Sequence, residues 1–97
     1  MIKICFKLSS RITLYVNKTA ELFAKCFGGS TSTPALGYWL SQNAGLVKEK
    51  TTLVFAFCSD QQLQEHIDQV VNFCEQLKTK LKQEAIALEI NGEMYFI

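Results

Sequence analysis

The chain has almost no net charge and few of the residues that mark common catalytic or metal sites. Ten lysines and arginines stand against nine acidic residues, which leaves a formal net charge of +1. Nucleic-acid-binding domains normally have a clustered basic surface, so this composition predicts no nucleic-acid partner. The single histidine, His66, has no cysteine or acid at ligand spacing in a recognisable motif. The sequence therefore predicts no metal site, no cofactor and no catalytic set.

Long apolar runs and short cysteine spacings are also absent. Lys7 and Arg11 interrupt the apolar beginning of the chain, and no apolar run reaches the roughly 18 residues of a membrane helix. These absences predict a cytoplasmic protein with no membrane partner. The four cysteines lack the spacing of zinc or redox motifs, and each has apolar neighbours. That setting favours reduced, buried thiols.

Hydrophobic periodicity predicts a single domain over residues 1–97. The first predicted strand is RITLYV at residues 11–16, with a beginning further upstream in KICFKL left open. Thr19 then caps a short helix that Gly28 and Gly29 end.

Two further strands, at residues 35–40 and 46–58, form a predicted hairpin around the turn cluster SQNAG. Ser59 begins a long amphipathic helix with a capping box, and the chain ends in a strand, an Asn91–Gly92 turn and a short extra strand.

This order, β-α-β-β-α-β with a short extra C-terminal strand, is that of a ferredoxin-like α+β sandwich with an antiparallel sheet. Right-handed connections would put both helices on one face and leave the other open. The stretch LVFAFC at residues 53–58 is apolar on both faces, as in a strand that is covered twice. Because the chain is too short for a third layer, we expect a homo-oligomer that packs through the open sheet face.

The stretch FGGSTSTPALGYW combines two adjacent glycines and a third further on, four Ser/Thr residues and the only tryptophan. It has no lysine at the position that a phosphate-binding Walker loop requires. In the predicted hairpin, Glu49 lies across from the Tyr38–Trp39 pair, and an aromatic face beside a carboxylate suits a planar, hydrogen-bonding ligand. The ligand-binding residues predicted on this basis are Thr31, Thr33, Tyr38, Trp39 and Glu49. The alternative is that Trp39 fills a subunit interface and that Glu49 is simply solvated.

The chain resembles a group of small ferredoxin-like proteins of bacterial, phage and mobile-element genomes that are largely of unknown function. The resemblance spans residues 12–97 and is most specific at residues 28–39, 45–49 and 83–97, with the pattern FGGxTxTxxxGYW followed by GxVxE. It implies the fold and a role for the glycine–threonine–tryptophan segment, and it implies no reaction. The beginning, MIKICFKLSS, departs from the pattern.

Three functions remain open on the sequence alone. The first is an oligomeric module that captures a nucleotide-like small molecule near the Gly/Thr-rich segment and Trp39. The second is a protein-interaction or inhibitory module that uses the apolar sheet face. The third is a small dimeric α+β enzyme in which Glu49, Tyr38 or His66 would act, although no pair of titratable groups stands out as an acid and a base.

Overall fold

The computed structural model describes residues 1–10, 12–82 and 86–97. Within them, five strands and two helices follow the predicted order and confirm the ferredoxin-like α+β class. They are β1 (Ile2–Ser9), α1 (Thr13–Phe27), β2 (Thr31–Ser41), β3 (Gly45–Cys58), α2 (Asp60–Leu81), β4 (Ala87–Ile90) and β5 (Glu93–Phe96).

The strands form one sheet in the order β2-β3-β1-β4-β5, and all neighbours are antiparallel. The two connections that contain helices, β1-α1-β2 and β3-α2-β4, place α1 and α2 on the same face. One face of the sheet is therefore covered by helices, and we call the other face, which has no layer over it among the described residues, the open face.

The core lies between the helices and the covered face. Along β1, Ile4, Phe6 and Leu8 alternate inward, and they meet apolar side chains of both helices. The ring of Phe6 lies 5.2 Å from the ring of Phe23 in α1 and 6.4 Å from that of Phe73 in α2, measured between centroids. Phe6 and Phe23 are fully buried, so these contacts join the sheet to both helices at the centre of the core.

The prediction of a strand at residues 11–16 is wrong. The first strand is Ile2–Ser9, and residues 13–16 form the first turn of α1, while Arg11 lies outside the described residues. Both stretches are apolar enough for a strand, but in β1 Ile4, Phe6 and Leu8 point at every second residue to the covered face, where they are buried. Pairing of β1 with β3 and β4 decides between the two stretches.

The sequence predicted that Thr19 caps the first helix. In the structure, Thr19 is instead a buried residue in the middle of α1. Its hydroxyl donates to the carbonyl oxygen of Tyr15, 2.8 Å away. The residue before the helix, Ile12, offers no side-chain cap, so the sequence has no capping signal at this end. The C-terminal end is as predicted: Gly28 has φ +87° and its N–H donates to Ala24.

The long second helix begins where its capping box predicts. The Ser59 hydroxyl accepts from the backbone N–H of Gln62, and the Gln62 side chain accepts from the Ser59 N–H, at 3.1 and 3.0 Å. The predicted end of this helix and the beginning of the predicted fourth strand fall on residues 83–85, outside the described residues. Within residues 1–10, 12–82 and 86–97, neither helix combines the length and the apolar character that crossing a membrane requires.

Candidate functional site

Strands β2 and β3 form a hairpin that extends beyond the neighbouring strand β1 of the same sheet. β1 pairs with β3 only from Thr51 to Cys58, so residues 45–50 continue past the end of β1. Leu40 and Leu46, near the tip, are 80% and 64% exposed. β2 begins at Thr31, earlier than predicted, and includes Pro34, which an edge strand tolerates. This hairpin contains all five of the predicted ligand-binding residues.

The register of the hairpin separates Tyr38 from Trp39. Glu49 pairs with Gly37, and Trp39 pairs with Val47, so Trp39 and Glu49 lie on the same face of the sheet. That face is the open one. Tyr38 pairs with Lys48 and lies on the opposite face. The predicted register is displaced by one residue, and the expectation that Glu49 faces a Tyr38–Trp39 pair is corrected to Trp39 alone.

Trp39 and Glu49 line an open cavity of about 430 Å³, together with Val47, Lys48 and Lys50. The indole is about half exposed, at 53%, so its ring is available for stacking. The cavity begins where β3 has passed the end of β1, which leaves one side of the strand uncovered. An aromatic ring and a carboxylate at one cavity can bind a planar ring that bears hydrogen-bond donors.

The two threonines of the predicted site lie at the far end of β2. Thr31 and Thr33 share the open face with Trp39, but Thr31 is eight residues from it, which in a strand is about 26 Å. Thr31 lines a different cavity of about 370 Å³, with Gly28, Gly29 and Phe57 among its other residues. Within one chain, the structure does not bring the threonines and Trp39 together around one small ligand.

The open face is apolar near its centre and at one edge. The stretch at residues 53–58 divides as the sequence pattern predicted: Val54, Ala56 and Cys58 face the helices, and the alternate side chains face outward. Phe57 is 51% exposed, and Phe55 packs edge-on against it at 5.9 Å. Met94 and Phe96 of β5 extend the apolar surface.

Three further residues of the open face were missed by sequence reasoning: Lys7, Gly37 and Thr51. A Cβ placed on Gly37 would lie 3.4 Å from Lys7 Nζ and 3.7 Å from Thr51 Cγ2. The hydroxyl of Thr51 is buried and has no hydrogen-bond partner among the described residues. The alternation of Ile4, Phe6 and Leu8 in β1 indicates that Lys7 lies on the opposite face of the sheet. Because the first strand is predicted further along the chain, this pattern did not enter the prediction of the site.

His66 and the four cysteines lie away from the Trp39 cavity. The His66 ring packs edge-on against Phe27, 6.0 Å away, and so has a packing role. Cys5, Cys26, Cys58 and Cys74 are free and buried, as predicted. Burial raises the pKa of each thiol, in Cys74 to about 12, so that these groups stay protonated at neutral pH.

The sequence matches no protein-family model and no curated protein, but solved structures share the fold. A phage SAM lyase in complex with S-methyl-5'-thioadenosine has a TM-score of 0.58 and 18% identity, over 99% of this chain and 86% of that chain. CutA from Pyrococcus horikoshii, in 3 M guanidine hydrochloride, has a TM-score of 0.57 and 12% identity, over 94% and 82% of the two chains. CutA from Synechococcus elongatus PCC7942 has a TM-score of 0.56 and 10% identity, over 96% and 76%. At these identities the likeness establishes the fold.

Proposed function

We propose that the protein is a small oligomeric ligand-binding module that binds a nucleotide-like molecule beside Trp39. The observation that supports it most directly is that Trp39 and Glu49 share the open face and line one cavity. A base stacked on the indole would place its amino group, or the hydroxyls of its ribose, within reach of a carboxylate that accepts hydrogen bonds.

The choice of an adenosine-type ligand is supported by the fold comparison. The similar phage SAM lyase structure contains S-methyl-5'-thioadenosine, a nucleoside with a planar purine and no charged group at neutral pH. We transfer this ligand class to the present chain as a proposal, because the Trp39–Glu49 cavity has the two groups that such a ligand needs.

Assembly of several copies is part of the proposal. The cavity is open in one chain, and the apolar side chains of the open face lack a covering layer among the described residues. A second copy packed on this face would remove apolar surface from water, at about 25 cal/mol per Å². It would also offer a route by which Thr31 or Thr33 of one chain approaches the Trp39 of another.

Isothermal titration of the protein with S-methyl-5'-thioadenosine tests the proposal. We expect binding by the wild type and loss of binding in Trp39→Ala, because the stacking surface is removed. Tyr38→Ala is the matched control, since it removes a neighbouring aromatic ring that is equally exposed but lies on the other face. Equal binding by the Trp39 variant, or none by the wild type, would contradict the proposal.

A lyase that acts on the same class of ligand is a second candidate, favoured by the fold likeness to a SAM lyase and by the position of Glu49 at the cavity. Against it, the other two residues considered for catalysis lie elsewhere: Tyr38 is on the opposite face, and His66 packs against Phe27. Release of S-methyl-5'-thioadenosine from S-adenosylmethionine by the wild type, but not by Glu49→Gln, would replace the binding module with an enzyme.

A further inference from the structure

Gly37 leaves a gap in the row of side chains on the open face, which we call the Gly37 notch. It lies between Ala35 and Trp39 on β2 and directly across from Glu49 on β3. Glycine inside a strand often marks a place where another group comes close to the backbone. Here that group is the ammonium of Lys7, whose Nζ lies 3.4 Å from the position that a Cβ at Gly37 would occupy.

The Lys7 side chain reaches the notch by crossing the sheet. Lys7 is on β1 and Gly37 is on β2, and β3 lies between these two strands. The side chain therefore passes above β3 in the region of Thr51, which is only 4% exposed and whose methyl group also lies at the notch. The Lys7 ammonium thus lies at Gly37, whose cross-strand partner Glu49 lines the Trp39 cavity.

The charge of Lys7 is not neutralised by an ion pair within the described residues. The salt bridges found there join Lys25 to Glu21 and Lys78 to Glu75, and Lys7 takes part in neither. Glu49 is the carboxylate across the notch, and it forms no ion pair in that part of the chain either. An ammonium at Gly37 and a carboxylate at its cross-strand partner Glu49 thus lie, without an ion pair between them, on the face that carries Trp39.

We propose that the ligand bound beside Trp39 bears an anionic group, a carboxylate or a phosphate, and that Lys7 binds this group at the Gly37 notch. This inference rests on the proposed function and specifies its ligand class. Because Gly37 is the cross-strand partner of Glu49, a ligand that stacks on Trp39 and donates to Glu49 can extend along the open face to Lys7 Nζ, which supplies hydrogen-bond donors and positive charge. Lys48 and Lys50 also line the cavity, but they pair with Tyr38 and Leu36, and their side chains begin on the other face.

Two ligand pairs test the inference by isothermal titration. S-Methyl-5'-thioadenosine and S-adenosylhomocysteine share the thioether nucleoside, and only the second has a carboxylate, which it carries together with an ammonium group. Adenosine and adenosine monophosphate share the nucleoside, and only the second has a phosphate. We expect at least one anionic member to bind the wild type about tenfold more tightly than its partner, a difference of about 1.4 kcal/mol. The pair that shows the difference identifies the anion.

Lys7→Gln should bring that ratio to about one, while its affinity for the uncharged nucleoside stays unchanged. Lys3→Gln is the matched control, because Lys3 is on the same face of β1 but lies over the ring of Phe55, 4.8 Å away, instead of at the notch.

The outcomes separate this inference from the proposed function. Wild-type binding of uncharged nucleosides with no preference for either anionic partner overturns the role of Lys7 and leaves the Trp39 site intact. A preference that persists in Lys7→Gln, or that Lys3→Gln also removes, likewise overturns it. Absence of binding by all four compounds overturns both proposals.

Discussion

Gly37 and Glu49 are direct cross-strand partners in the β2–β3 ladder. This pairing decides which residues meet on the open face, because a slip of one residue would move every side chain of β2 to the other side of the sheet. With Glu49 opposite Gly37, the indole of Trp39 joins the carboxylate on the open face, and the phenol of Tyr38 does not. The candidate site depends on this register.

The end of α1 provides a test of backbone conformation with two adjacent glycines. Gly28 has φ +87°, whereas Gly29 is outside the left-handed region, and a Cβ on either would have no neighbour within 4 Å. Gly28→Ala should therefore cost about 1 kcal/mol through backbone strain alone. Gly29→Ala should be neutral or stabilising by a few tenths of a kcal/mol, about what reduced freedom of the unfolded chain supplies. Urea denaturation of the two variants measures both, and equal effects would contradict the assigned conformations.

Removal of the Phe6 side chain is expected to destabilise the fold strongly. It is fully buried and contacts Phe23 and Phe73 across both helices. Phe6→Ala should lower the free energy of unfolding by about 3–5 kcal/mol, because it removes transfer free energy and leaves a cavity. Leu14→Ala, at a position that is 60% exposed, is the control and should change stability by less than about 0.5 kcal/mol. Chemical denaturation gives both values, and a loss of only about 1 kcal/mol for Phe6 would place it outside the centre of the core.

The buried thiol of Cys74 predicts a loss of stability at alkaline pH. Burial first, and then the charge of Glu75, raises its pKa from 9.0 to about 12. Above about pH 9 the unfolded chain releases this proton and the native state keeps it, so the unfolded state binds fewer protons. The free energy of unfolding contributed by this group is therefore fully present below about pH 9 and decreases as the pH rises toward about 12.

Cys74→Ala should make this decrease less steep. The measurement is urea denaturation of the wild type and the variant at a pH of about 7 and of about 10, with the two differences compared. Titration of lysines and tyrosines affects both proteins alike and cancels in the comparison. An identical decrease in the two proteins would show that the Cys74 thiol does not contribute.

The homo-oligomer is testable through two apolar residues of similar exposure. Phe57 on the open face is 51% exposed, and Leu14 on the outer side of α1 is 60% exposed. If copies pack through the open face, Phe57→Lys should produce monomers because it puts a charge into an apolar interface. Leu14→Lys should leave the assembly unchanged.

Size-exclusion chromatography with light scattering gives the mass of each variant. A wild-type protein that is already monomeric would contradict the homo-oligomer. It would favour the alternative in which Phe57, Met94 and Phe96 contact a different protein.

Local signals predicted much of the fold. The Ser59–Gln62 capping box marked the beginning of α2, and Gly28 marked the end of α1. The Asn91–Gly92 dipeptide marked the last turn, where both residues have positive φ and Asn91 Oδ1 accepts from the Lys3 N–H at 2.9 Å. Each of these features is encoded by residues that lie within four positions of one another in the sequence. They can therefore be recognised without the rest of the chain.

The candidate site was predicted only in part, since its geometry depends on pairing between distant segments. The sequence indicated Trp39 and Glu49, but it put Tyr38 on the wrong face and grouped Thr31 and Thr33 with a ring about 26 Å from Thr31. The proximity of Lys7 and Gly37 was not predicted, because 29 residues separate them in the sequence. They come close only because β1 and β2 lie on either side of β3 in the folded sheet. The burial of the four thiols was predicted correctly, because the residues next to each cysteine in the sequence are apolar.

By itself, then, the sequence determined the order of the elements, the turn positions and the apolar character of residues 53–58 of β3 on both faces. The tertiary structure alone decided which of two apolar N-terminal stretches became β1, which register joined β2 to β3, and which side chains lie around Gly37. Propensity and periodicity are properties of neighbouring residues, whereas register and strand choice are set by packing free energy summed over contacts between distant parts of the chain.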